Sequence, residues 1–183
     1  MRAEAEGRAA RAKRARTVAA IFAASALLVS VSTALELRIN WTGSMPLGLY
    51  QRVDPVLVRG EWVAVCLDGE AARIARERHY VILGSCASGV SEIVKRIAAI
   101  PGDRIELGQG GVRVNGELIP GSQLLDRDSE GAPLAHANEG EIVLAAGRYW
   151  VMGTHIRRSW DSRYFGPIAR EQIVGGARPL WTF

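Results

Sequence analysis

The run Thr17–Leu35, TVAAIFAASALLVSVSTAL, holds nineteen residues without a single charge. As a helix rising about 1.5 Å per residue, it spans roughly the hydrocarbon thickness of a bilayer. A core helix of this length would need a polar stripe, and none runs along it. A cleaved signal peptide is the other reading, because Ser32–Ala34 and the basic flank suit a secretory signal. The run is longer than the apolar core of such signals, so a retained anchor is the expectation. Charge then sets its orientation. The chain carries 23 Lys and Arg against 19 Asp and Glu. Residues 1–16 hold Arg2, Arg8, Arg11, Lys13, Arg14 and Arg16 against Glu4 and Glu6, so the whole excess lies on one side of the run. Lys and Arg stay cytoplasmic, which predicts a cytoplasmic tail over 1–16, an anchor over 17–37 and an outward-facing domain over 38–183. In a Gram-negative cell this places a single-pass protein in the inner membrane with its domain in the periplasm. The outer part is charge-balanced, which argues against a nucleic-acid surface.

Beyond the anchor the pattern is short, strand-like and rich in turns. The 48% apolar content is enough for a packed core. Gly48–Val53, Glu61–Leu67, Glu92–Ile100, Asp103–Leu107, Val112–Val114, Glu117–Ile119, Glu141–Leu144, Arg148–Met152 and Gln172–Val174 read as strands. A Gly-Gln-Gly-Gly turn and Asn115-Gly116 supply hairpin connections. Glu70–His79 is the one helical stretch, and Asp126–Gly140 reads as a surface loop. The fold class is mainly β: a small antiparallel sheet or barrel behind one N-terminal transmembrane helix. In an oxidising compartment Cys66 and Cys86 can pair, closing a loop of about 20 residues for about 3 kcal/mol. Two buried free thiols are the alternative. Neither cysteine sits in a nucleophile context.

Three segments carry chemistry. In Thr42-Gly43-Ser44-Met45-Pro46, Gly43 permits a close turn and Pro46 stiffens the exit, presenting Ser44 at an exposed bend. As a strand, Ile93-Val94-Lys95-Arg96-Ile97 puts Ile93, Lys95, Ile97 and Ala99 on one face. A lysine among isoleucines loses solvation, which lowers its pKa and lets a neutral amine accept a proton from a serine hydroxyl. Taken alone, this segment favours a snorkelling lysine on a strand edge. In Ser159-Trp160-Asp161-Ser162-Arg163, Ser159 could orient a lysine amine while Asp161 and Arg163 pair. His79 and His136 read as surface residues. No His/Cys/Asp cluster has metal-ligand spacing, so neither a metal nor another cofactor is expected.

In order and spacing these three segments resemble the signal peptidase I superfamily. Ser44-Met45 matches its serine box, Val94-Lys95-Arg96-Ile97 with Ile100-Pro101-Gly102-Asp103 its lysine box, and Ser159, Asp161, Ser162 and Arg163 its last box. The short domain, the form Gly43-Ser44-Met45-Pro46-Leu47-Gly48-Leu49-Tyr50 and the cysteine pair are similar to the conjugal-transfer peptidase TraF-like branch. The resemblance implies a serine endopeptidase with Ser44 as nucleophile and Lys95 as general base. It implies that the Ser44 amide and the Thr42 hydroxyl face the oxyanion, that Ser159 bonds the lysine amine, and that Asp161 and Arg163 support the site, Asp161 being able to act directly. It implies as substrate an exported protein precursor, a pilin of a conjugation or type IV secretion apparatus, with the acyl-enzyme resolved by water or by the substrate's own N-terminus. Where the family reads Gly-Asp-Asn, this chain has Gly153-Thr154-His155. His155 opens a competing Ser44–His155–Asp161 triad. Two further readings are a general signal peptidase acting on many precursors and, in another class, a non-catalytic assembly module of a secretion complex.

Overall fold

The computed structural model of the chain describes residues 2–153 and 155–183. It divides into two compact units, Met1–Leu37 and Arg38–Phe183. The first is a single helix, α1 (Arg2–Ala34). Its apolar stretch Arg16–Ala34 is long enough to cross a bilayer, and Val18, Phe22, Leu27 and Leu28 are all exposed on it. A stretch that is apolar all round and exposed along its length suits a lipid environment rather than water.

The second unit is built from two antiparallel sheets. Seven strands form the larger: β1 (Leu37–Asn40), β2 (Gly48–Val53), β3 (Trp62–Val65), β4 (Ile93–Ala99), β9 (Arg148–Met152), β10 (Ile168–Ala169) and β11 (Ile173–Thr182). Their spatial order is β1-β2-β11-β3-β4-β9-β10. The smaller sheet orders β7 (Glu117–Leu118), β6 (Gly111–Val114), β5 (Arg104–Gly108) and β8 (Gly140–Val143). Helix α2 (Gly69–Glu77) follows β3, and a short α3 (Ser162–Phe165) precedes β10.

Two cores explain why β9 reads as an unbroken apolar run. Tyr149 and Val151 pack with Val63, Ile97 and the α2 alanines Ala72 and Ala75. Trp150 and Met152, on the opposite face, pack with Ile105, Leu107 and Val112 of the smaller sheet. A strand covered on both faces loses the alternation that marks a half-exposed one. Cys66 and Cys86 are bonded, with Cα atoms 5.5 Å apart, and Cys86 belongs to the first core.

β2 and β9 keep the bounds expected from sequence, and most other strands shift by one or two residues at their ends. The largest difference is β11, expected to end at Val174 but continuing to Thr182. Gly175, Gly176 and Pro179 read as strand breakers, yet each has a positional reason. A Cβ on Gly175 would sit 2.7 Å from Arg52 Cγ, and one on Gly176 2.9 Å from Val53 Cγ2, so glycine admits β2 at close range. Pro179 stands beside a register shift between Pro179 and Trp181. β1, β10 and α3 are too short to leave a periodic signal.

Candidate active site

One side chain organises the loop that carries Ser44. Asn40 ends β1 and is 9% exposed. Its Nδ2 donates toward the carbonyls of Thr42 (3.1 Å), Met45 (3.2 Å) and Pro46 (3.0 Å). Its Oδ1 accepts from Thr42 N at 3.3 Å and Thr42 Oγ1 at 2.9 Å. The chain is thereby wrapped around a single amide, and Tyr50 fixes the exit by donating its hydroxyl to Pro46 O at 2.7 Å. The wrap turns Ser44 inward, leaving it buried rather than exposed at the bend. Ser44 Oγ lies 3.3 Å from Thr42 Oγ1. A threonine hydroxyl has one proton, and Asn40 takes it, so Ser44 is the donor in this pair. As an oxyanion donor, Thr42 would have to turn away from Asn40.

Lys95 faces the same region from β4. This strand is central, paired to β3 at Val63↔Lys95 and to β9 on its other side, so the lysine has no edge from which to snorkel. Ile93, Lys95, Ile97 and Ala99 form one buried face, and Lys95 is 3% exposed. Burial pushes its amine from the ordinary 10.5 down to about 8; Asp161 pulls the other way and Arg163 pushes it further down. Nζ donates to Ser159 Oγ at 2.9 Å. Gly153 makes room for this bond. A Cβ there would lie 2.1 Å from Ser159 Oγ and 3.0 Å from Ser44 O.

Behind Ser159, Asp161 and Arg163 form a buried two-pronged pair. Asp161 Oδ1 accepts from Arg163 Nε and Oδ2 from Arg163 Nη2, both at 2.8 Å. Oδ2 also accepts from Gly153 N at 3.0 Å, and Oδ1 from Arg163 N at 3.3 Å. Arg163 spends its remaining donors on the carbonyls of Gln123 (3.1 Å) and Ser159 (3.2 Å). The four accepting directions of the Asp161 carboxylate are all occupied, so Asp161 holds the segment and does not address a histidine. His155 is exposed, and only its backbone N–H reaches the serine loop, donating to Ser44 O at 3.2 Å. The Ser44–His155–Asp161 triad is therefore not assembled. Thr154 lies outside the described residues.

Ser44, Lys95, Thr42 and Ser159 line one cavity of about 270 Å³. Ile93, Tyr80, Trp160 and Tyr164 add apolar and aromatic wall, with Trp160 and Tyr164 stacked 5.5 Å apart. A neutral amine beside a hydroxyl in a partly dry cleft can accept its proton, and the cleft has room for an extended peptide segment.

Residues 14–181 match the family described as "Signal peptidase, peptidase S26". The chain belongs to this signal peptidase family. It is a serine-type peptidase, and its substrate is protein. The "Plasmid transfer protein TraF" of Escherichia coli is 33% identical over 161 residues, covering 87% of this chain and 91% of that one. The "Conjugal transfer protein TraF" of Agrobacterium tumefaciens (strain 15955) is 34% identical over 167 residues, covering 87% and 92%. "Signal peptidase IB" of Staphylococcus aureus (strain N315) is 30% identical over 145 residues, covering 73% and 75%. A solved signal peptidase I of Enterococcus faecalis V583 superposes with a TM-score of 0.38 at 18% identity, covering 67% of this chain and 97% of that one.

Within this signal peptidase family member, three site features have no role legible in the sequence. Asn40 lies outside the serine box, and nothing in a linear reading says that it will gather three carbonyls. Gly153 is legible only as a glycine. Asp128 and Tyr80, 48 residues apart, meet at 2.5 Å across the cavity wall. His136 differs from its expected surface position: its side chain is 14% exposed, with Nε2 3.1 Å from Leu125 O and the ring centroid 6.0 Å from that of Tyr164.

Proposed function

We propose that this chain is a membrane-anchored endopeptidase in which Ser44 is the nucleophile and Lys95 the general base. One observation carries the reading: a fully buried lysine amine, brought down to about 8, lines the same cavity as Ser44. At pH 8 about half of such amines are neutral, against under one per cent for a lysine at its ordinary value. The neutral amine takes the Ser44 hydroxyl proton as Oγ attacks the scissile carbonyl. The tetrahedral oxyanion is met by the Ser44 amide N–H, with the Thr42 hydroxyl as second donor once it leaves Asn40. The ammonium then returns the proton to the departing amine, leaving Ser44 esterified. Ser159 holds the amine throughout, and the Asp161–Arg163 pair holds Ser159.

The acyl ester is released by water or by an amine of the substrate itself, and both routes use the same deprotonated Lys95. The helix Arg16–Ala34 would anchor the enzyme in the inner membrane, with the basic N-terminus inside and the domain in the periplasm. Plasmid- and conjugal-transfer TraF relatives at 33–36% identity over most of the chain support a conjugation context, in which the substrate would be an exported precursor, a pilin subunit. A mass-spectrometric inventory of membrane and exported proteins from cells with wild type or Ser44→Ala tests this. One small precursor accumulating in the variant is the expected result, and its mature mass distinguishes a linear from a cyclic product. Many precursors accumulating would favour a general signal peptidase, and no accumulation would overturn the reading.

A further inference from the structure

We infer that Arg127 and Arg158 make the open side of the Ser44–Lys95 cavity a docking point for a carboxylate side chain of the substrate. The enzyme then prefers peptides with Asp or Glu near the bond it cleaves. The inference rests on reading this cavity as the peptidase site.

Among the described residues, five acidic, basic or imidazole side chains line the cavity: His79, Lys95, Arg127, Asp128 and Arg158. Lys95 is buried and already bonded to Ser159. Asp128 is the one carboxylate, and it is fully engaged. Its Oδ2 accepts from the Tyr80 hydroxyl at 2.5 Å and lies 3.5 Å from Arg78 Nη1. Its Oδ1 accepts from the backbone N–H groups of Glu130 and Ala132, each at 2.9 Å. The Tyr80 bond holds this carboxyl below its usual range, so it stays ionised and occupied at neutral pH. Asp126 and Glu130, the acidic neighbours on the same loop, do not line the cavity, and Asp126 lies 3.7 Å from His136 Nε2.

Among the described residues, neither arginine is paired with a carboxylate. Arg127 uses only Nη1, on the carbonyl of Gly131 at 2.7 Å, and keeps the rest of its fork free. Arg158 engages no carboxylate among the described residues, and both side chains are exposed. The same cavity is also lined by apolar Leu125, Leu134 and Ile156. Forked guanidinium donors match the two oxygens of a carboxylate, and an apolar wall with low dielectric strengthens the attraction.

The test uses the full chain in detergent micelles and labelled short peptides, C-terminally amidated. Each carries Glu, Gln or Lys at one stepped position in an Ala/Leu frame. Fluorescence anisotropy with Ser44→Ala should show Glu peptides binding about two- to five-fold tighter than their Gln isosteres at one or two positions, as for a partly exposed ion pair. The gap should shrink with added salt. Arg158→Glu should reverse the order so that Lys peptides bind best, with Arg127→Glu acting in the same sense. Equal binding of Glu and Gln peptides at every position would overturn the inference. So would a Glu preference that persists in both variants. Cleavage of the same peptides by the wild type separates the two claims. Ser44-dependent cleavage without charge preference defeats only this inference, whereas charge-selective binding without Ser44-dependent cleavage defeats the peptidase reading.

Discussion

The two sides of the cavity are built by different physics. On one side, the Ser44 loop is held by hydrogen bonds from Asn40 to three backbone carbonyls and to Thr42. On the other, Lys95 is fixed by burial on a central strand, with the desolvated Asp161–Arg163 pair behind it. Hydrogen bonds that exchange for water contribute modestly, while buried charges are costly as soon as one partner is lost. The lysine side should therefore dominate stability, and the serine side should tune activity with less effect on folding.

Removing one half of the buried pair challenges this contrast most strongly. Asp161→Ala leaves the Arg163 guanidinium buried and unpaired, and should cost about 3–5 kcal/mol in a urea unfolding curve. A double change, Asp161→Leu with Arg163→Met, should recover much of that loss, because no uncompensated charge remains. If the single variant unfolds like the wild type, the lysine side is not held as described.

Next in size is the Cys66–Cys86 bond, which closes a loop with a sequence separation of 20, with Cys86 in the same core as Ile93 and Ile97 of the lysine strand. Cys66→Ala with Cys86→Ala should lower stability by about 3 kcal/mol, measured under non-reducing conditions. The same changes should leave the Asn40 loop intact, since the bonds that hold it come from Asn40 and Tyr50.

Lys95→Met should act in the opposite direction. The folded amine titrates near 8 and the unfolded one near 10.5, so between these values the unfolded chain binds more protons and wild-type stability rises with pH. Below pH 8 the folded protein bears the full penalty, about 3 kcal/mol at 1.4 kcal/mol per unit. The variant should therefore be more stable at pH 7, with the advantage gone by about pH 10.5, while its activity is lost. A pH-independent difference would contradict the assigned desolvation.

Asn40→Ala is the smallest expected change in stability, about 1–3 kcal/mol, because the loop is near the surface and its carbonyls can recruit water. Its effect on cleavage should be larger, read as a fall in kcat exceeding the change in KM. Equal losses of stability and rate would erase the distinction between the two sides.

The two sides also differed in how much the sequence disclosed. Ile93, Lys95, Ile97 and Ala99 share a face by strand periodicity alone, and the structure buries all four. What that pattern could not say is whether the strand is central or at an edge, because pairing to β3 and β9 is a long-range fact; locally, a snorkelling lysine fitted as well. The Ser44 loop was legible as a bend from Gly43 and Pro46, but its inward direction depends on Asn40, which becomes a hub only after the chain wraps around it. The length of β11 is not legible in the sequence, because Gly175, Gly176 and Pro179 suppress strand signals. Their purpose, close approach to β2 and a bulge, exists only in the assembled sheet. Family resemblance supplied the order of the three boxes, while the bonds linking Ser159, Gly153, Asp161 and Arg163 had to come from coordinates.

The central claim is that Lys95 is a base near neutral pH, and the chain makes this unusually easy to measure. Lys13 and Lys95 are its only lysines. Carbon NMR of full-length protein labelled at lysine Cε should show two signals, with Lys95→Met identifying which is which. The Lys95 signal should titrate near pH 8. A Lys95 signal titrating at the ordinary lysine value would contradict this and leave the proposed Ser44 mechanism without its base.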